Sequence, residues 1–380
     1  MELKKGYKQT EVGVIPVDWE VKKLGEFAHV ATGNTPPTND QTNYGHDYFF
    51  VSPADLGRGK YTVDTDKKLS KKWFDISRKF PKSSILFTCI GSTIGKSGIA
   101  PIELTSNQQI NAIFPHDSFS SDYLFYSLNL LAPRIKSLAG EQAVPIINKT
   151  EFEETLIAFP PTKTEQEAIA EALSDADELI AGLEKLITKK RTIKQGMMQE
   201  LLTGKKRLPG FSGQWEVEPL GNIFKFSGGF SASRDQLSSE GYCYLHYGDI
   251  HKSSKTFIDV QAEYQNIPKL NIPLKRVSNA SLLSDGDVVF VDASEDDEGT
   301  SKHIVVINKD DTPYISGLHT IVAKCKTSAL DHTYRRYCFQ TRDIKRQFYF
   351  YAVGTKVSGI SKTNIAKIFI PIPHLSNRLL

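Results

Sequence analysis

Two kinds of hydrophobic pattern run along this chain. Short apolar runs such as Tyr48-Phe49-Phe50-Val51, Ile85-Leu86-Phe87 and Tyr242-Cys243-Tyr244-Leu245 have the length and the aromatic and β-branched content of strands. A different pattern fills the middle. Ile169, Leu173, Ala176, Ile180, Leu183 and Ile187 recur at alternating steps of four and three, and after Lys190 and Lys194 the seam resumes at Met197 and Leu201. That spacing predicts one long amphipathic helix with a coiled-coil seam, and therefore a partner helix on Ile169, Leu173, Ile180, Leu183, Ile187, Met197 and Leu201. Pro160 and Pro161 stop structure before it, Thr164 with Glu167 reads as a capping box, and Gly204 supplies the stop. Residues 165–202 would span about 57 Å at 1.5 Å per residue.

The strand-like patterns on either side of this helix repeat. Trp19-Glu20-Val21-Lys22-Lys23-Leu24-Gly25 returns as Trp215-Glu216-Val217-Glu218-Pro219-Leu220-Gly221. Each copy leads to a small-residue turn, Ala31-Thr32-Gly33 and Ser227-Gly228-Gly229, and then to an aromatic strand. The match resumes late in each half, where Ile147-Asn148-Lys149-Thr150 aligns with Ile360-Ser361-Lys362-Thr363, and both continue into an apolar run and a proline. The second copy is the longer one between these landmarks, so its extra residues belong in loops. The period is too long for a solenoid. The expectation is an α+β chain of two similar α/β modules: 1–162, a spacer helix 163–204, and 205–380. A constant frame with divergent interiors suits a device that reads two different things.

Charge sharpens the picture of the helix. From Glu165 to Glu184 its charges are all acidic, and from Lys185 onward they are almost all basic. This order suits the helix dipole, and it suits antiparallel pairing with a helix of the same pattern. Over the whole chain the net charge is only +3, so a nucleic-acid surface would have to come from how the charges are placed. The four cysteines, Cys89, Cys243, Cys325 and Cys338, show no metal-ligand or disulfide spacing, which fits a reducing cytoplasm. The start of the chain lacks the apolar core of a signal peptide, and no run is long enough for a membrane span.

Two motifs resemble catalytic or metal elements and fall short. Gly91-Ser92-Thr93-Ile94-Gly95-Lys96-Ser97 is one residue too short for a P-loop, and Gly98 and Pro101 break the helix that should follow, so a tight glycine turn exposing Lys96 is expected. In Asp292-Ala293-Ser294-Glu295-Asp296-Asp297-Glu298-Gly299 the glycine comes too late for an EF-hand, which leaves a solvated acidic loop. No spacing pairs a nucleophile with a base, and no metal site is expected. What remains is basic and amide-bearing residues on predicted loops and strand ends. Lys71, Lys72, Lys96, Lys252, Lys302, Arg335 and Arg336 could contact phosphates, the last two on a stretch to Tyr349 that reads as one helix. Asn107, Gln108, Gln109, His303 and His319 have the chemistry to read base edges.

These features also carry a resemblance. Gly6-Tyr7-Lys8-Gln9-Thr10-Glu11-Val12-Gly13-Val14-Ile15-Pro16 with Trp19-Glu20-Val21, the helix entry Pro160 to Ala170, the helix exit Gly196 to Gly204, and Ile315-Ser316-Gly317-Leu318-His319-Thr320 resemble the specificity subunits of type I restriction-modification enzymes. The resemblance implies two target recognition domains, each reading one half of a bipartite DNA site, and a helix that sets their spacing and docks methyltransferase subunits. It implies a subunit without catalytic residues or cofactors of its own. S-adenosylmethionine, ATP and magnesium would belong to the methyltransferase and restriction-translocase partners. In that family a second helix follows the second module. The residues His374 to Leu380 do not begin one, so the expected partner of the central helix is that of a second copy, in a homodimer. The alternative is a scaffold protein from a decayed locus that no longer reads DNA.

Overall fold

Alternation along the strands decides the layers. In the computed structural model, which describes residues 4–140, 143–294, 299–328, 330–354 and 358–373, Ile85–Thr88 is buried along its whole length. Its Ile85 and Phe87 enter one apolar cluster while Leu86 enters another, because neighbouring side chains leave a strand on opposite faces. Val288–Val291 repeats this. Val288 and Phe290 face one cluster and Val289 and Val291 face the other. Continuous apolar strands are thus covered on both sides. Each fully buried Ile, Leu, Val or Phe contributes roughly 1.5–3 kcal/mol.

The contacts divide the chain into two compact units, 1–185 and 186–380. In the first, an antiparallel sheet runs in the order Val30–Thr32, Ile110–Ile113, Ile85–Thr88, Ser97–Ile99. One face is packed by the helix Ser121–Ser137 through Tyr123, Leu124 and Leu128. The other lies on a smaller sheet ordered Thr105–Ser106, Tyr48–Val51, Lys67–Leu69, Tyr44–Gly45. The second unit repeats the plan. Its main sheet runs Phe224–Gly228, Thr320–Cys325, Val288–Val291, His303–Ile307, with Phe257–Asp259 added at the edge. Its smaller sheet runs Tyr314–Ser316, Tyr242–Leu245, Lys269–Leu270, Leu237–Ser238. The repeat is therefore one topology built twice. The additions in the second unit include the helix Tyr247–Lys252 and the strand Phe257–Asp259.

The repeated motifs at the module ends have structural causes. Glu20–Lys23 pairs with Leu156–Phe159, and Glu216–Pro219 pairs with Phe369–Ile372, so each unit is closed by its own beginning and end. Asn148 and Ser361 are N-caps. The Asn148 side chain accepts from the Glu151 N–H at 2.9 Å, and the Ser361 hydroxyl accepts from the Asn364 N–H at 3.1 Å.

The long helix runs Lys163–Leu201. Its start lies two residues from the expected cap: the Glu165 N–H donates to the Thr162 hydroxyl at 3.2 Å, so Thr162 caps it rather than Thr164. Gly204, at φ +71, ends it. The first turns dock on the first unit. Gln166 is buried and accepts from the Ser120 N–H at 2.9 Å, and the Trp19 indole donates to Glu165 at 3.2 Å. Farther along, Tyr126 donates to Asp177 at 2.7 Å and Lys60 to Ser174 at 2.7 Å. The last turns dock on the second unit, where Met198 is buried and Gln199 accepts from the Arg342 N–H at 2.9 Å. From Glu171 to Met197 every residue except Ser174 is exposed. Ile169 is not part of that open seam, because it packs on the first unit's core, and Leu201 is half-buried. Among the described residues no helix is long and apolar enough to cross a membrane.

Candidate nucleic-acid interface

At the end of each main sheet, three segments meet in a rim built from the same backbone hydrogen bonds. In the first unit the Cys89 N–H donates to the Gln109 carbonyl at 2.8 Å, the Ile147 N–H to the Cys89 carbonyl at 2.8 Å, and the Thr88 N–H to the Lys96 carbonyl at 2.8 Å. In the second, the Asp292 N–H donates to the His319 carbonyl at 3.1 Å, the Ile360 N–H to the Asp292 carbonyl at 2.8 Å, and the Val291 N–H to the Lys302 carbonyl at 3.0 Å. Lys96 therefore corresponds to Lys302, Gln109 to His319 and Cys89 to Asp292.

The small-residue turns hold this rim shut. The Asn34 N–H donates to Ser106 at 2.9 Å, and the Phe230 N–H donates to Ser316 at 2.7 Å. A Cβ on Gly33 would lie 2.2 Å from the Asn107 carbonyl oxygen, and one on Gly229 would lie 1.8 Å from that of Gly317. Only glycine allows these backbones to approach so closely. The sequence signal was present as the repeated small-residue turn, but its partner segment was not visible there.

Chemically the two rims differ. In the first, Asn107 and Gln109 satisfy each other. The Asn107 amide donates to the Gln109 side chain at 2.9 Å, and its oxygen accepts the Gln109 N–H at 3.1 Å. Gln108 is exposed and its amide oxygen meets the Thr35 hydroxyl. The sequence 91–97 is a glycine turn between two strands, with Gly91 at φ +94, Gly95 at φ +100 and Lys96 exposed. Burial pushes the Cys89 thiol up to about 12, which leaves it a packing group.

In the second rim His319 is half-exposed at φ +59, with Nδ1 3.3 Å from an Asp292 carboxylate oxygen and its ring edge-on to Tyr247 at 5.4 Å. The buried Tyr244 hydroxyl fastens the turn, donating to the Phe230 carbonyl at 2.8 Å and accepting from the Leu318 N–H at 3.1 Å. Phe50 occupies the matching strand position in the first unit, so this clasp exists only in the second. Lys302 donates to the His251 carbonyl at 2.6 Å.

Other sequence candidates lie elsewhere. His303 and Arg335 are buried, which removes both from any binding surface. His303 packs among Phe290 and Phe339, and Arg335 donates to the Gly286 carbonyl at 2.7 Å. Arg336 stacks its guanidinium on Phe257 at 4.1 Å. Their stretch is two helices, His332–Cys338 and Arg342–Tyr351, not one. Lys71 pairs with Asp75 at 3.2 Å and Lys72 with Asp40 at 3.1 Å, so that cluster is a paired face rather than a bare basic patch. Lys252 is exposed, on a cavity of about 520 Å³ also lined by Arg234, Asp249 and Lys255. Part of the acidic loop, 295–298, lies outside the described residues.

Comparison with known proteins supports one family. The type I restriction modification DNA specificity domain matches residues 16–195. The MjaIX specificity subunit of Methanocaldococcus jannaschii is 29% identical over 259 residues, 62% of this chain, and the chain spans 58% of that relative's length. The MjaVIII specificity subunit of the same organism is 26% identical over 386 residues, 96% of this chain and 84% of the relative. The first module and most of the long helix are thus similar to type I restriction specificity subunits. A crystal structure of a type I restriction-modification system S subunit from M. genitalium shares this fold, at a TM-score of 0.55 and 17% identity over 98% of this chain and 87% of that one.

Proposed function

We propose that the chain is the DNA-recognition subunit of a type I restriction-modification complex, each unit reading one half of a bipartite duplex site. The observation that carries this reading is the doubled rim: identical backbone bonds support different polar side chains in a chain similar to type I restriction specificity subunits. The long helix sets the spacing of the half-sites and docks methyltransferase subunits, through which restriction-translocase subunits join. The chain itself contributes recognition and no chemistry, and S-adenosylmethionine, ATP and magnesium are held by its partners, in the cytoplasm. Methylome sequencing of cells carrying the chain and its methyltransferase tests this. A two-part methylated motif is the expected result, and the absence of any motif sinks the reading in favour of a scaffold that no longer reads DNA.

The same reading includes a homodimer. Leu173, Ile180, Leu183, Ile187 and Met197 are each 42–55% exposed along the middle of the helix. Such a seam is normally covered. The acidic first half and basic second half match a second copy in antiparallel orientation. Light scattering at micromolar concentration is expected to give a dimer and Leu183→Glu a monomer. A monomer in the wild type removes this part of the reading.

A further inference from the structure

The two rims invite a question about which side chains discriminate. Resting on the bipartite DNA-reading function proposed above, we infer that the turns Asn107–Gln109 and Gly317–His319 are the base-reading elements, with Gln108 carrying the selectivity of the first unit and His319, beside Leu318, that of the second.

Position comes first. Each turn links the small sheet to the main sheet at the same place: the Asn107 N–H donates to Val51 at 3.0 Å, and the Gly317 N–H to Leu245 at 2.9 Å. Each is pinned again at its far end by the Cys89 or Asp292 N–H and pressed from the side by Gly33 or Gly229. Such turns are rigid, and rigid placement is what base discrimination requires. A loop free to move would spend binding energy on ordering itself.

Side-chain accounting then separates readers from supports. Asn107 and Gln109 are consumed by each other, and Asn107 also holds the turn backbone, so both are positioning residues. Gln108 is the exposed amide of that turn, and its oxygen, which accepts from the Thr35 hydroxyl, keeps a second lone pair for a base. An amide of this kind matches the N6 and N7 edge of adenine. In the second turn Nδ1 of His319 lies 3.3 Å from an Asp292 carboxylate oxygen. That leaves Nε2 as the ring nitrogen for a hydrogen bond to a base edge. Leu318 is 39% exposed, and its place in the same turn suits apolar contact with a thymine methyl.

The neighbouring lysines differ in the same way. Lys96 is exposed, whereas Lys302 is tied to the His251 carbonyl at 2.6 Å. Lys96 is thus the better phosphate contact, and Lys302 braces the second rim.

The test uses the full chain with its methyltransferase subunits and compares methylated motifs. Gln108→Ala is expected to relax one or two positions of one half-site by about 10- to 100-fold in discrimination and leave the other half intact. His319→Ala is expected to do the same to the other half only. Lys96→Ala should weaken all sequences alike and lower the salt slope by about one. If methylation falls below detection, the affinity ratio of cognate to single-substituted duplexes, read by fluorescence anisotropy on the purified complex, decides the same point. A wild-type motif that neither Gln108→Ala nor His319→Ala alters overturns the inference while the DNA-reading function stands. A wild type with no motif overturns that function itself.

Discussion

The first and second units are the same backbone carrying different chemistry, and the rim is where they part. Gln109, Cys89 and Phe50 stand where His319, Asp292 and Tyr244 stand in the second copy. The shape of the rim survives these exchanges because it depends on main-chain bonds and on glycine at two points of close approach, neither of which requires a particular side chain. A frame of that kind can hold its geometry while the exposed residues diverge, as the proposed reading of two unlike half-sites requires. The second copy also has what the first lacks: a hydroxyl clasp, a buried imidazole and an added helix.

The most disruptive way to break this likeness is at the glycines. Gly229→Ala should destabilise the second unit by upwards of about 3 kcal/mol, since its Cβ would lie 1.8 Å from a backbone oxygen that cannot easily retreat. Gly33→Ala should do the same to the first unit somewhat less severely, at 2.2 Å. Denaturant unfolding of the two variants checks the ranking, and a neutral effect at both would mean the rims are not locked.

Next comes a difference in acid sensitivity. Burial holds the His303 imidazole down at about 4, below its ordinary 6.5. Between those values the unfolded chain binds more protons than the folded one, so the contribution is whole above pH 6.5 and is lost as pH falls toward 4. The loss amounts to about 3 kcal/mol. Asp287, whose carboxyl burial raises, titrates in the opposite sense and trims the slope. His303→Leu should flatten the pH dependence of unfolding of the second unit. An unchanged slope would assign the acid sensitivity to another group.

A smaller effect is expected at the clasp. Tyr244→Phe should cost the second unit about 1–2 kcal/mol, by stranding the Leu318 N–H and the Phe230 carbonyl. The reverse change in the first unit, Phe50→Tyr, should not stabilise it, because the hydroxyl would need partners that unit was not built to offer. Smallest is Lys72→Ala, whose exposed ion pair with Asp40 should leave the thermal unfolding midpoint almost unchanged.

Much of the architecture was legible before folding was considered. The duplication, the heptad helix and its glycine stop, and the shared Asn148 and Ser361 positions rest on local chemistry: periodicity, caps and turns act over a few residues and leave a direct mark on the order of amino acids. The family likeness rests on the same stretches. What the tertiary structure alone decided was which polar residues face outward. His303 and His319 both looked available at strand ends, yet His303 begins a strand covered by Phe290 and Phe339, and His319 sits on an exposed turn. Arg335 belonged to a basic cluster by sequence and to the core by packing. Lys71 and Lys72 looked like a free basic patch until Asp75 and Asp40 were placed beside them. Exposure and pairing depend on layers contributed by distant segments, and Gly33 and Gly229 matter only because Asn107 and Gly317 arrive from elsewhere in the chain.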